Sequence, residues 1–383
     1  MPKVIVNIIS SESPLPAYLF VKEKYVQGDQ LLFLSSKEGL SNLKHIAKVL
    51  QVPSEQVMEI VFKEDEDFTY ERICRRIRAE IKENAHYYVN LAGGTRYMAL
   101  AVQQAFSQSH ADFFYTNLRD NNIVKSIFDD SIYDNDDYVY PVLRRMSIAE
   151  YLSLHQIKHD ADNRQTHLPI RSESYVQKFF TLYVENRLND MDFRVMEALR
   201  LDYRNYIRSG QYLKISEIEQ GRVSRCQAIP ELSQFLDYID FVPARKGALT
   251  KEEIDFLTGG WFEEHCYYLA KREFAPDDLL IGVHVARPGV EHDNELDVVF
   301  TKDNALHVIE CKSGISSNKL FNEIVYKACA LKEALLGLMC HYYLFSLKRD
   351  NAQEDFRKIA HVMSVDFWGR DKLVSMNQTP ARE

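Results

Sequence analysis

Three residues toward the carboxyl end have the types and spacing to do chemistry together. The run Asn294-Glu-Leu-Asp297-Val-Val-Phe is followed, after a turn through Lys302-Asp303-Asn304, by Leu306-His-Val-Ile-Glu310-Cys-Lys312. Side chains alternate along a strand, so Glu310 and Lys312 share a face and Cys311 points away. Paired as a hairpin, the two runs bring Asp297 beside Glu310 and Lys312. Two carboxylates can hold a hard divalent cation, and a lysine beside them can orient or deprotonate water. A Lewis acid, a nucleophile generator and positive charge at phosphoryl oxygens are what hydrolysis of a phosphodiester needs. Val298, Val299, Val308 and Ile309 make the flanks apolar, so these strands read as buried with their charges turned inward.

A second constellation is Tyr88-Val-Asn90-Leu-Ala-Gly93-Gly94-Thr95-Arg96, which runs directly into an apolar helix. Glycines let a backbone approach a ligand closely, and Thr95 is placed to cap the helix. The amides at that helix start, the dipole and Arg96 together favour an anion. The turn is neither the GxGxxG dinucleotide fingerprint nor a Walker A loop.

The elements that must position these groups alternate through the first third. Strands are expected at Val4–Ile9, Gln30–Leu34, Val57–Phe62 and Tyr87–Leu91, with helices at Leu15–Tyr25, Leu40–Leu50, Phe68–Glu83 and Tyr97–Phe106 between them. Asp112–Thr116 and Ile123–Phe128 flank Asn121-Asn122, a hairpin signal. This βαβ alternation predicts a Rossmann-like doubly wound sheet over roughly residues 1–140. An acidic stretch, Asp129–Asp137, reads as an edge element or linker. Ser147 to about Leu257 is mainly helical, with an amphipathic segment at Val176–Leu188 and a capping box at Thr250-Lys-Glu-Glu253. Then come a helix at Trp261–Lys271, strands at Leu279–Val285, Leu296–Phe300 and Ala305–Cys311, and a long helix at Lys319–Leu336. The expected organisation is therefore 1–145, a first α/β domain; 146–225, a helical connector; and 226–383, a second α/β domain.

Composition narrows the classes. The 383 residues carry a formal net charge of −9 with 46% hydrophobic and 27% charged residues, an ordinary globular balance. The acidic balance argues against a protein that coats nucleic acid or an anionic membrane by bulk charge, but it leaves room for a local basic groove. The amino terminus lacks a signal-peptide pattern, and the longest apolar stretch, Ala334–Phe345, is well short of the roughly 20 residues of a membrane span. Six cysteines without a CxxC pair exclude zinc-ribbon, thioredoxin-like and disulfide-framework readings and point to a reduced cytoplasm.

The Asp297, Glu310 and Lys312 arrangement resembles the PD-(D/E)xK restriction-endonuclease-like superfamily, with these residues as its D, E and K. Two flanking features add to the match. The helix beginning Trp261-Phe-Glu263-Glu264 stands where many members carry a further metal-supporting glutamate, and Asn322-Glu-Ile-Val-Tyr326 where some carry a Gln-x-x-x-Tyr helix. Glu295 is a candidate accessory ligand, and the proline of the motif name is absent. Residues 1–140, with the turn at Gly93-Gly94-Thr95-Arg96 and the loop at Ser10-Ser11-Glu12, resemble the CARF domains, where lysine is usual at the Arg96 position. Together the halves resemble the CARF-plus-endonuclease effectors of type III CRISPR systems.

The resemblance implies a homodimer that binds cyclic tetra-adenylate across its CARF pair through Ser10, Ser11, Gly93, Gly94, Thr95 and Arg96. It implies a Mg²⁺- or Mn²⁺-dependent nuclease that cuts single-stranded DNA and RNA and nicks supercoiled DNA, with no membrane partner. Asp297, Glu310 and the Cys311 carbonyl would hold the metal with support from Glu263, and Lys312 would assist the attacking water. Two rival readings are a non-catalytic CARF regulator that binds nucleic acid and a ring nuclease that degrades its own oligoadenylate. Other signals read as solvated surface: His155 and His159, one helical turn apart without the glutamate of a zinc motif, and Arg75, Arg76 and Arg78. The stripe Arg200, Arg204, Arg208, with Tyr203 and Tyr206 interleaved, has two readings, a solvent face first and a phosphate-tracking stripe with stacking residues second. Arg222, Arg225, Arg245 and Lys246 are candidates to extend a basic groove.

Overall fold

A computed structural model describes residues 2–63, 69–126, 138–286, 294–313, 318–331, 339–347 and 353–378. The acidic stretch Asp129–Asp137 and the end of the expected helix Lys319–Leu336 lie outside the described residues.

The first sheet holds β1 (Lys3–Ile9), β2 (Gln30–Ser36), β3 (Val57–Phe62), β4 (His86–Asn90), β5 (Ala111–Asn117), β6 (Asn122–Ser126) and β7 (Val139–Pro141), in the order β3-β2-β1-β4-β5-β6-β7. The first five run parallel, and β6 and β7 add antiparallel. Parallel strands covered on both faces need near-continuous apolar runs, and β1 supplies one. Val4, Val6 and Ile8 pack into a core shared with the helices Tyr70–Arg78 and Arg96–Phe106, while Ile5 and Ile9 face the helices Leu15–Lys24 and Leu40–Val49. The strand order reverses between β1 and β4, so the loops after them flank the topological switch point, where open α/β sheets bind ligands.

The chain continues through β8 (Lys158–His159) and a short ribbon of β9 (Tyr212–Lys214) with β10 (Ala248–Thr250). It then forms β11 (Asp278–Ala286), β12 (Asn294–Lys302), β13 (Ala305–Lys312), β14 (Cys340–Ser346) and β15 (Val365–Trp368). The second sheet has the order β15-β14-β13-β12-β11-β8. One face packs on Glu173–Val184, Trp261–Phe274 and the helices between them. The other face, through Leu280, Val299, Val308 and Tyr342, merges into the core formed by Ile5, Leu31, Phe33 and Phe114 of the first sheet. A single apolar core therefore spans both halves.

The expected capping box is present: Thr250 Oγ1 accepts from the Glu253 amide at 3.3 Å, and Glu253 Oε2 accepts from the Thr250 amide at 3.0 Å. The histidine reading is corrected. The helix Ile148–Leu154 ends before His155, Gln156 turns the chain with φ +62, and His159 belongs to β8. His155 stacks on Tyr151, and His159 pairs with Ser153 Oγ at 2.8 Å, so the two imidazoles share no solvated helix face.

Candidate functional site

Hairpin β12–β13 aligns Val298 with Ile309 and Val299 with Val308, bringing Asp297 level with Glu310. Across β11, Val298 faces Ile281 and Leu296 faces Val283, which leaves Asp297 opposite Gly282. On a regular strand i and i+2 share a face. Here Leu296 and Val298 pack into opposite cores, as do Val283 and Ile281, so both strands switch face at this level. Gly282 makes the switch possible with φ +65, a conformation that residues with a Cβ rarely adopt. The local bend carries the Asp297 carboxylate to the seam between the two cores.

Lys312 ties the group together. Its Nζ lies 2.8 Å from Glu310 Oε1 and 3.2 Å from Asp297 Oδ2, and it donates to the Cys311 carbonyl at 3.1 Å. The Cys311 amide donates to Asp297 Oδ2 at 2.7 Å. Asp297 and Glu310 are 9% and 7% exposed, so these charges interact across a poorly solvated medium. The paired carboxylates hold the Lys312 ammonium well above the usual lysine range despite its burial. Without a bound cation, Lys312 is therefore held protonated by its two carboxylate partners. The Cys311 thiol points away, as strand alternation requires, into the core that contains Cys266.

Glu263, half-buried on the helix Trp261–Phe274, joins the site electrostatically. Burial, with the Asp297 and Glu295 charges, pushes its carboxyl up to about 8; burial and Glu310 push Asp297 up to about 6. Such shifts mark negative charge that one lysine does not neutralise, and a hard, oxygen-ligated divalent cation suits that donor set. Among the described residues, no three His, Cys, Asp or Glu side chains are gathered round one point. Glu295 is exposed, Tyr326 is 59% exposed, and the buried Asn322 Oδ1 has no hydrogen-bond partner among the described residues.

One contribution is not foreseen in the sequence reading, and a second is there only as the lesser of two alternatives. Tyr342 on β14, itself 2% exposed, donates to Glu310 Oε2 at 3.0 Å. Arg200 and Arg204, read from sequence as solvent face, line a cleft of about 440 Å³ together with Glu263 and Lys312. Their outer atoms do meet solvent, but the wall they form belongs to the site. Arg222, Arg225, Arg245 and Lys246 are not among the residues lining that cleft.

The second constellation gathers at the switch point. Gly93 (φ +106) and Gly94 (φ +61) lie directly on the end of β1: a Cβ on Gly93 would meet Ile8 O at 2.3 Å, and one on Gly94 would meet Ile8 Cγ2 at 2.4 Å. That contact brings the turn beside the loop of Ser10 and Ser11. Thr95 Oγ1 caps the helix Arg96–Phe106 by accepting from the Met98 amide at 3.2 Å, and Arg96 is exposed at its first position. Below the turn, Asn90 and Asn7 are wholly buried and bonded to each other at 3.0 Å, with Asn90 Oδ1 also taking the Ala92 amide at 3.2 Å.

The Ser10–Ser11 loop is wired toward the second sheet. Asn42 Nδ2 donates to Ser10 O at 2.8 Å and Ser11 O at 3.3 Å, while Asn42 Oδ1 accepts from Gln156 Nε2 at 3.1 Å. Gln156 lies two residues before β8, which pairs with β11 opposite the strand of Asp297.

A doubly wound sheet with two loops at its switch point, sharing its core with a sheet that carries an Asp–Glu–Lys cluster, defines a two-part sensor and nuclease. Residues 4–151 match the family model of the Card1 CARF domain, and residues 250–378 match that of the Card1-like endonuclease domain. The chain belongs to this Card1-like family of CARF-plus-endonuclease proteins. Among solved structures it is similar to Can2 from Sulfobacillus thermosulfidooxidans in complex with cyclic tetra-adenylate, with 19% identity, TM-score 0.66, and coverage of 98% of this chain and 97% of that one. The Vibrio cholerae protein VC1899 is similar at 19% identity and TM-score 0.67, covering 98% and 96%. A type III CRISPR defence DNA nuclease activated by cyclic oligoadenylate matches at 14% identity and TM-score 0.54, over 100% of this chain and 53% of that one. No curated protein matches the chain. At these identities the structures establish the shared fold, and the family models establish the endonuclease domain. Among the described residues, no helix is long and apolar enough to cross a membrane.

Proposed function

We propose that this protein is a homodimeric nuclease of type III CRISPR defence, gated by cyclic tetra-adenylate and dependent on Mg²⁺ or Mn²⁺. Its substrates are single-stranded DNA and RNA and supercoiled DNA, and it acts in the cytoplasm. The observation that carries the catalytic reading is Lys312, within 3.2 Å of both the Asp297 and Glu310 carboxylates at the seam of the two cores. Asp297 and Glu310 would hold the cation, with the Cys311 carbonyl and Glu263 in support. When bound, such a cation supplies Lewis acidity and a more acidic water. Lys312 orients the attacking water and offsets charge that develops on the phosphoryl oxygens.

The sensing role rests on the switch-point geometry. Ser10, Ser11, Gly93, Gly94, Thr95 and Arg96 present backbone amides, hydroxyls and one guanidinium to a phosphate-rich ring. A two-fold ring suits an isologous pair of chains, and Tyr97 and Leu100, 42% and 58% exposed beside the turn, offer apolar surface for it. Ligand bound there shifts the nuclease pair by its differential affinity for two states, and Asn42 and Gln156 give that shift a route. The division 1–145, 146–225 and 226–383 is kept as sensor, connector and nuclease.

The test incubates the protein with single-stranded DNA, single-stranded RNA and supercoiled plasmid, with and without cyclic tetra-adenylate and Mn²⁺. Lys312→Ala and Asp297→Asn serve as controls. Cleavage only with both additions, lost in both variants, is the expected result. Cleavage that survives both substitutions removes the site, and cleavage indifferent to the ring removes the gate. Binding without cleavage supports a regulator, and loss of the ring alone supports a ring nuclease.

A further inference from the structure

The cleft beside Lys312 has two walls of unusual backbone. One is the π turn Leu199–Tyr203, closed by the Arg204 amide donating to Leu199 O at 2.9 Å; the other is the kink at Gly259 between the helices Lys251–Asp255 and Trp261–Phe274. Single π turns are frequent at functional sites. Between them Arg200, Arg204, Phe193 and Tyr183 face the same space as Glu263 and Lys312.

We propose that this cleft is the track for a single nucleic-acid strand, with Arg200 and Arg204 on phosphates next to the scissile one and Phe193 stacked on a base. The inference rests on the nuclease reading and names its substrate class. Three observations carry it. First, the space is large enough for a small ligand and ends on the catalytic lysine and Glu263. Second, the guanidiniums are held by replaceable partners. Arg200 contacts Glu197 at 2.9 and 2.5 Å with both side chains 51% exposed, so exchanging that pair for a phosphate costs little. Arg204 contacts Asp255 at 3.2 Å, and Asp255 keeps a second cation, Lys251, at 2.5 Å when Arg204 turns away. Third, Phe193 is 41% exposed in the same cleft as Arg200, Arg204 and Lys312. An exposed ring there gains from an unstacked base, which a single strand offers and a duplex withholds.

The experiment measures binding of fluorescein-labelled oligodeoxythymidylate by anisotropy, using full-length protein in EDTA with cyclic tetra-adenylate present. Arg200→Ala/Arg204→Ala is expected to weaken binding about 30-fold and to make the log–log salt slope shallower by about 1.4, at roughly 0.7 per lost contact with a single strand. Arg200→Lys/Arg204→Lys keeps the slope. Phe193→Ala weakens binding about tenfold with the slope unchanged. Arg222→Ala/Lys246→Ala removes the same charge away from the cleft and is expected to stay within about twofold. With Mn²⁺, the KM for the strand rises in the cleft variants more than kcat falls. Equal losses in the off-cleft control, or wild-type binding in the cleft variants, overturn the proposal, as does tighter binding of a duplex of the same length. Cleavage lost in Lys312→Ala while the cleft variants bind normally removes the track and keeps the nuclease. The expected binding losses in a protein that never cuts keep the track and remove the nuclease.

Discussion

Tyr342 holds Glu310 from the neighbouring strand, its hydroxyl donating to Oε2 across 3.0 Å from inside the apolar core. Burial pushes the phenol well above its ordinary range, so it stays a donor throughout working pH. Lys312 takes the other oxygen at 2.8 Å, and together they fix the carboxylate plane. Tyr342→Phe leaves a buried acceptor without its donor, a loss of about 1.5–3 kcal/mol for a bond to a charged group. The expected outcome is a kcat about tenfold lower, a higher requirement for divalent cation and a substrate KM within about twofold. Initial rates across a Mn²⁺ titration check it; an unchanged rate at low Mn²⁺ would show that Tyr342 does not position the ligand.

Metal-free protein should lose stability as pH rises. Glu263 and Asp297 are pushed up to about 8 and about 6, so between their ordinary values and these the folded state holds protons that the unfolded chain has released. Stability therefore falls with increasing pH across that window. Thermal melts in EDTA from pH 5 to pH 8.5 measure it, and Glu263→Gln is expected to flatten the profile. Added Mn²⁺ should raise the melting temperature more at pH 8 than at pH 5, because the cation competes with protons.

An opposite trend belongs to His265. It stacks on Phe180 at 3.8 Å, its buried Nε2 has no partner among the described residues, and burial pushes it down to about 3. An unfolded histidine protonates near its ordinary value, so stability is full above about 6.5 and drains away as pH falls toward 3. His265→Phe keeps the stack and removes the titration. Its acid-unfolding midpoint, followed by circular dichroism, should move to lower pH by about half a unit or more. An unmoved midpoint would assign the acid limb to other groups.

Asn42→Ala should separate sensing from cutting. Its amide bonds Ser10 O, Ser11 O and Gln156 at once, so truncation breaks the contact between loop and second sheet without touching the Asp297 cluster. Stimulation by cyclic tetra-adenylate is expected to fall about tenfold or more, within the range of ordinary coupling energies, while affinity for the ring changes by about threefold or less. Calorimetric titration beside a cleavage assay distinguishes the two. Full stimulation in the variant would move the route elsewhere.

The legibility of this chain in its sequence followed contact range. Asp297, Glu310 and Lys312 were readable because a hairpin and strand alternation are local rules, and Thr250 with Glu253 for the same reason. Tyr342 was not, because β13 and β14 pair in parallel through a long crossover whose register the local pattern does not set. Nor was the face switch at Gly282 and Asp297, which shows only when both strands are assigned to their cores. The Arg200–Arg204 stripe looked like solvent face because helical periodicity locates a polar side but not what stands across from it. His155 and His159 were misread because Gln156 takes a left-handed turn that no glycine announces.

The core that runs from Ile5 and Phe33 through Leu280 to Tyr342 makes the two halves thermodynamically inseparable. A fragment cut between them would bare the apolar underside of one sheet, so neither half is expected to persist as a well-behaved piece. Heating the intact chain should accordingly give one calorimetric transition, not two. The same continuity ties core substitutions in one half to the other: one that loosens the underside of the first sheet also slackens the packing beneath Glu310.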